Sequence, residues 1–289
     1  MPQIFRAIIL MIIGVLFFTF VDLFIKFLSH ALPIGEILIV FGGGTAILFW
    51  IMMVRTNEAV LDRKFIHNVI MLRCSGEMIG VAALTTALIH ASLSTVTALL
   101  QTMPLILTAM AAIFLKEKVG IKRLIAILVG FAGVLLVIRP TIDGFNAYSL
   151  FALLGALGLA ARDFSARIVP RHISIAGLSF YGSVSVVLTG LIFMLFSGGW
   201  VMPEGIMILH CFGLIITGAL GLWCVSTAMS LADVSAISPF RYVRIVFGMS
   251  AGVIVFGEHL DIPTLLGSAI IVGAGLYSWH HERRLVQES

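Results

Sequence analysis

Phe20-Val21-Asp22-Leu23-Phe24-Ile25-Lys26 lies near the end of the first long apolar run of the chain, and Ala161-Arg162-Asp163-Phe164-Ser165-Ala166-Arg167 near the end of the sixth. The stretches are 141 residues apart, and each sets an aspartate four positions ahead of a base, Asp22 before Lys26 and Asp163 before Arg167. The same interval separates Glu117, after the fourth run, from Glu258, after the ninth. Each half thus carries five membrane-length runs. Five is odd, so two similar halves must cross a bilayer in opposite directions, a plan that recurs in secondary transporters. The fold class read from this is an all-α polytopic membrane protein. Its ten transmembrane helices form two inverted five-helix repeats around a central cavity, residues 1–141 and residues 142–289 with a short cytoplasmic tail.

The bulk numbers agree. Hydrophobic residues make up 60% of the 289 and charged ones 11%, with a mean hydropathy of +1.14. A soluble domain is about one quarter charged, so this much apolar surface needs lipid as its solvent. Ten spans of about 20 residues take up about 200 positions and leave only short connections. The net charge of +4 comes from basic loops rather than from a basic stripe interleaved with aromatics, so no nucleic-acid partner is expected. Cys74, Cys211 and Cys224 lie in apolar runs without CxxC spacing and read as packing residues, with no metal and no cofactor. The N-terminus imitates a signal peptide ending at Ser29-His30-Ala31. Asp22 and Lys26 interrupt its apolar core, and the copy 141 residues on argues against cleavage.

The spans are expected over 6–28, 33–54, 68–90, 93–115, 121–139, 147–166, 174–197, 204–230, 234–256 and 262–281. Pro33, Pro140, Pro170 and Pro263 fall at joins, whereas Pro104 and Pro239 fall inside spans 4 and 9 and should kink them or free carbonyls toward a cavity. With the N-terminus inside, the cytoplasmic side receives Arg6, Arg55, Arg63, Lys64, Lys116, Lys118, Lys122, Arg123, Arg167, Arg171, Arg283 and Arg284; the far side receives Arg139. That imbalance places both termini in the cytoplasm. The glycines at 42–44, 130 and 133, 155 and 158, 218 and 221, and 273 and 275 read as close helix packing.

Nine charges lie inside these runs or at their ends: Asp22, Lys26, Glu36, Arg73, Glu77, Arg162, Asp163, Arg241 and Arg244. Each costs about 2.5–3.5 kcal/mol at the centre of a lone spanning helix. Together they exceed the net stability of most proteins, about 5–15 kcal/mol. They must face one another or water. Asp22/Lys26, Arg73/Glu77 and Asp163/Arg167 are each spaced for one helix face and read as self-neutralising pairs or as parts of a site. Arg241 and Arg244 share a face and repel, so an anion is expected beside them: Glu77, Glu36 or a substrate. Tyr242 and Gln101 are expected to add hydrogen bonds. The expected substrate site is Arg241, Arg244, Tyr242, Glu77, Arg73, Gln101 and Trp223, with a purely structural ion network as the competing reading. Asp22, Lys26, Glu36, Arg162 and Asp163 are expected to gate or couple transport.

The stretch 112–140, AIFLKEKVGIKRLIAILVGFAGVLLVIRP, has an apolar helix, Glu117, a short basic turn and a Gly-rich helix. It resembles the EamA branch of the drug/metabolite transporter superfamily. Residues 253–281, VIVFGEHLDIPTLLGSAIIVGAGLYSWHH, repeat the layout. The second copy departs by placing His259 and Asp261 where the first has Lys118, Gly120 and Lys122, as a periplasmic turn would. The resemblance implies a ten-helix carrier of a bacterial inner membrane, with spans 1, 3, 4, 6, 8 and 9 around the cavity and spans 5 and 10 peripheral. Glu117 and Glu258 are expected to cap or pin helix joins rather than touch substrate.

The function read from these features is secondary transport of a small organic metabolite. Two cationic side chains with aromatic neighbours (Phe240, Tyr242, Phe180, Tyr181, Trp223) suit a planar or carboxylated molecule, such as riboflavin or an aromatic amino acid. An efflux carrier for drugs or amino acids on the same fold is the alternative. Glu77 or Asp163 is a candidate proton carrier, and uncoupled diffusion stays equally open. An enzyme is disfavoured because no HExxH, nucleophile elbow or phosphate loop occurs, and His280-His281-Glu282 sits on a solvated tail. A channel is disfavoured because no half-length apolar run offers a filter. The partners expected are substrate and lipid; the sequence leaves room for a homodimer.

Overall fold

The computed structural model describes residues 2–60, 67–114, 121–138, 146–170, 173–196, 199–231 and 237–288. Among them there is no strand. The helices are α1 (Pro2–Leu28), α2 (Ile34–Arg55), α3 (Asn68–His90), α4 (Leu93–Leu100), α5 (Met103–Phe114), α6 (Ile121–Ile138), α7 (Tyr148–Ile168), α8 (Ile175–Met194) and α9 (Ile206–Leu231). A 3-10 turn, Ser238–Tyr242, then leads into α10 (Val243–Phe256), and α11 (Ile262–Glu288) follows. Of the described helices, α1, α2, α3, α7, α8 and α9 are long and apolar enough to cross a membrane; the apolar stretches Leu93–Leu107, Leu124–Ile138 and Ile262–Tyr277 are shorter. Glu117 and several orientation-setting bases (Arg63, Lys64, Lys116, Lys118, Arg139 and Arg171) lie outside the described residues, as does the side chain of Arg167.

Local chemistry explains the breaks. Pro104 has no N–H to donate and its ring crowds the carbonyl of Leu100. The chain unwinds one step earlier, at Gln101 and Thr102, where Thr102 Oγ1 donates to Leu99 O at 2.7 Å. Pro239 sits at the start of the 3-10 turn, where a missing N–H costs nothing. The fourth and ninth expected spans are therefore interrupted rather than merely kinked. Helix starts are capped: Ser92 accepts from Thr95 N for α4, Ser174 from Gly177 N for α8, and His67 Nδ1 from Val69 N for α3.

Helices of one half pack chiefly on helices of the other: α3 on α7, α1 on α9, α2 on α8, α6 on α11 and α4 on α10. Small residues let the backbones approach. A Cβ at Gly158 would lie 2.4 Å from Gly80 N. The contacts recur when both partners move by 141 positions: Gly80 meets Leu159 as Gly221 meets Phe18, and Gly155 meets Leu84 as Gly14 meets Val225. Burial is inverted relative to a soluble protein. Asp22, Glu36, Arg73, Glu77, Arg162 and Asp163 are buried, while Ile47, Leu128, Phe131, Leu188, Leu209 and Ile254 stand exposed. Such an outer face is stable only against hydrocarbon.

Candidate functional site

Apart from Arg162 and Asp163, which are neighbours on α7, the intramembrane charges meet across helices. Arg244 Nη2 donates to Asp22 Oδ2 at 2.6 Å, and Arg241 Nη2 to Asp163 Oδ2 at 2.5 Å. Arg162 Nε donates to Asp163 Oδ1 at 2.9 Å, and its Nη1 to Glu77 Oε1 at 3.3 Å. This differs from the expected pairing within helices. Asp22 turns to Arg244 rather than Lys26, Asp163 to Arg162 and Arg241, and Glu77 to Arg162 rather than Arg73. The anions beside Arg241 and Arg244 are the two aspartates, neither Glu77 nor Glu36.

Where the fourth and ninth spans break, they touch. Gln101 Nε2 donates to Tyr242 O at 3.0 Å and to Arg241 O at 3.4 Å, using carbonyls freed by the irregular turn. Above this contact lies a cavity of about 70 Å³, lined by Asp22, Glu77, Gln101, Arg162, Arg241 and Arg244 with walls from Phe18, Phe41 and Thr85. It has room for a few waters. Three of its polar atoms are buried without a hydrogen-bond partner: Glu77 Oε2, Thr85 Oγ1 and Arg244 Nε. The lining comes from α1, α3, the α4–α5 break, α7, α9 and the 3-10/α10 segment, with Phe41 of α2 added; α6 and α11 contribute nothing.

A second cavity, of about 530 Å³, adjoins the first and shares Phe18, Arg162, Leu222 and Val225 with it. Arg73, Asp163, Leu178, Ser226 and Met229 also line it, with apolar residues from Ala166 to Ile175. This volume lies within the span of small-molecule sites, about 300–1,000 Å³, and the first does not. The metabolite-sized space therefore lies beside the Arg241/Arg244/Glu77 cluster rather than within it.

At the other end of α1, a second set of polar contacts ties helices together. Lys26 Nζ donates to Glu258 Oε1 at 2.9 Å and to Ala91 O at 3.3 Å. Glu258 also accepts from Leu93 N at 2.6 Å, Ser94 N at 2.9 Å and Ser94 Oγ at 2.8 Å. A carboxylate at a helix N-terminus is favoured by the helix dipole. Burial pushes the Glu258 carboxyl up, but the hydrogen bonds from Lys26, Ser94 and Leu93 outweigh it and hold the group below the ordinary carboxylate range. Gly257, at φ 63°, ends α10 in the left-handed conformation that turns Glu258 back over Gly252. Glu258 thus pins a helix join. Glu36, fully buried, accepts from Val201 N at 2.9 Å at the start of α2, away from both cavities.

Two expected site residues lie elsewhere. Trp223 is partly exposed on α9 and lines neither cavity; its neighbour Leu222 does. Tyr242 is buried with its hydroxyl unbonded, packed so closely on Gly275 that no Cβ could fit there. Phe180 and Tyr181 stack edge-on, and Tyr181 Oη donates to Val60 O at 2.6 Å. Sequence reasoning passed over Phe18, Phe41, Thr85 and Ser226, which carry no charge to mark them.

Comparison with known proteins agrees with this architecture. The sequence model of the EamA-like transporter family matches residues 5–139 and 146–278. An S-adenosylmethionine uptake transporter of Rickettsia felis is 28% identical over 79% of this chain and 76% of its own. A riboflavin transporter of Brucella anthropi is 31% identical over 68% of this chain and 71% of its own, and one of Vibrio cholerae is 32% identical over 61% and 58%. A solved crystal structure at 18% identity superposes with a TM-score of 0.67, covering 96% of this chain and 98% of that one. At that identity, the likeness speaks for the fold alone.

Proposed function

We propose, given that the chain belongs to the EamA-like transporter family, that it carries a small planar or carboxylated organic metabolite by alternating access between two inverted repeats. It is a multi-pass membrane transporter of the bacterial inner membrane, not an enzyme. The finer reading is ten spans: the six long helices, the α4–α5 and 3-10/α10 pairs counted as one span each, and α6 and α11. Residues 1–141 and 142–289 form the repeats. Contacts that recur under a shift of 141 support this, and with an odd number of spans per half the exchange becomes an inversion. The Lys and Arg distribution supports cytoplasmic termini. In that orientation the large cavity opens toward the cytoplasm, and the Lys26–Glu258 tie closes the periplasmic side.

The observation that carries the proposal is the pairing of a metabolite-sized cavity at one end with a closed tie at the other, divided by an ion network drawn from both halves. Asp22, Arg162, Asp163, Arg241 and Arg244 would then re-pair as the halves rock. The relatives point to riboflavin and S-adenosylmethionine as candidates, and Phe18 in the cavity wall keeps an aromatic amino acid as a third. The experiment is uptake of labelled riboflavin, S-adenosylmethionine and tryptophan into proteoliposomes. Saturable uptake of at least one is expected; unsaturable leakage of all three would overturn the reading. Repeating the uptake with Glu77→Gln under a pH gradient tests coupling. Loss of the pH dependence is expected if Glu77 carries a proton, and unchanged dependence would remove it from that role.

A further inference from the structure

Four arginines lie in the interior between the halves, and they are not all matched. Arg162, Arg241 and Arg244 hold the three carboxylates Asp22, Glu77 and Asp163. Arg73 is the remaining one. It is 3% exposed, yet no carboxylate among the described residues lies within ion-pair distance. Its Nε donates to Leu178 O at 3.0 Å, which fixes the guanidinium plane and leaves both terminal nitrogens without an acceptor among the described residues. Glu77, one turn further along α3, directs Oε1 to Arg162. The cluster therefore carries one more positive than negative charge. An unmatched guanidinium is costly in a dry interior, and Arg73 is not in one: it lines the 530 Å³ cavity.

The rest of that wall fits an organic anion. Phe18, Leu222, Val225 and Met229 give an apolar surface on one side, and Ser226 adds a hydroxyl with no hydrogen-bond partner among the described residues. We propose that Arg73 binds a single oxyanion, carboxylate or phosphate, of the carried molecule, and that the apolar body of the molecule lies against α1 and α9. The proposal rests on the transport reading above and narrows it. The charge-selecting residue becomes Arg73 rather than Arg241 or Arg244, each of which is already paired with an aspartate. A guanidinium with one nitrogen tied and two free presents the geometry that carboxylates and phosphates accept from.

The test uses the purified full chain and two matched pairs of probes: riboflavin 5′-phosphate against riboflavin, and indole-3-acetate against indole-3-acetamide. In at least one pair the native chain should bind the anion about tenfold or more tightly than its neutral partner, the scale of one charge-assisted contact. Arg73→Gln should abolish that preference and Arg73→Lys should restore part of it. Equal binding within both pairs, failure of both anions to bind, or a preference that persists in Arg73→Gln would overturn the proposal. The comparison on the native chain does not depend on the variants folding. Uptake of the same probes into proteoliposomes separates the two readings. Probes bound through Arg73 but never carried would sink transport and spare the subsite. Uptake indifferent to charge would sink the subsite and spare transport.

Discussion

Asp22 and Asp163 hold equivalent places in the two halves, yet arginines of the second half claim both: Arg244 takes Asp22 and Arg241 takes Asp163. The first-half counterparts of those arginines, 141 positions earlier, are Leu100 and Met103. Gly80 with Leu159 and Gly221 with Phe18, by contrast, repeat the same contact in both halves. The comparison teaches a division of labour. In the shell of helices, packing contacts recur under a shift of 141 positions. The charges break that repeat: the aspartates recur at 22 and 163, but Arg241 and Arg244 have no charged counterpart 141 positions earlier.

The strongest way to break this comparison is to remove the side chain that joins its charged parts. Arg162→Met leaves Glu77 and Asp163 short of a partner in a buried site and should cost about 3–5 kcal/mol. In a thermal melt this should appear as a drop on the order of 10 °C; a drop within a few degrees would mean that the network is wetter than its burial implies. A finer cut separates the two aspartates. Asp163 accepts from two arginines and Asp22 from one. Asp163→Asn should therefore destabilise more than Asp22→Asn, by about 1–2 kcal/mol, and equal losses would restore the symmetry denied here.

The shell can be probed by the same logic at smaller scale. A Cβ at Gly80 would lie 2.8 Å from Leu159 N, whereas one at Gly221 would have its nearest neighbours at 3.4 Å. Gly80→Ala should cost about 1–3 kcal/mol by overpacking, and Gly221→Ala should cost less. The reverse order in denaturation midpoints would contradict the packing described. The smallest effect is expected at Tyr242. Its hydroxyl is buried with no partner, so Tyr242→Phe should leave stability within about 0.5 kcal/mol and ligand binding unchanged. A clear loss of binding would bring Tyr242 back to the site.

Much of this was legible beforehand, for physical reasons that differ by residue. Apolar length marks a span, so α3 begins and ends where the sequence placed it, at Asn68 and His90. Charge in an apolar run marks a site, and of the expected residues Asp22, Glu77, Gln101, Arg162, Arg241 and Arg244 converge on one cavity. Pairing was misread because sequence displays neighbours along a helix and hides those across an interface; Asp22 and Arg244 are 222 positions apart. Trp223 and Tyr242 were drawn in by aromatic character, which in a membrane protein serves lipid contact and packing equally well. Ser226 and Thr85 gave no signal, because hydroxyls are common in spanning helices and only a cavity distinguishes them. The break at Gln101–Thr102 was half legible: Pro104 announced a disturbance, but not that two broken spans would meet through Gln101 and Tyr242.

The central claim is a wet chamber that opens to one side of the membrane at a time. It is tested most directly with Ser226→Cys as the only cysteine, after replacement of Cys74, Cys211 and Cys224, probed by a membrane-impermeant thiol reagent from each face in turn. The account predicts reaction from the cytoplasmic face alone, and new reaction from the periplasmic face once Glu258→Gln loosens the tie to Lys26 and the start of α4. Reaction from both faces with Glu258 intact, or from neither, would contradict it.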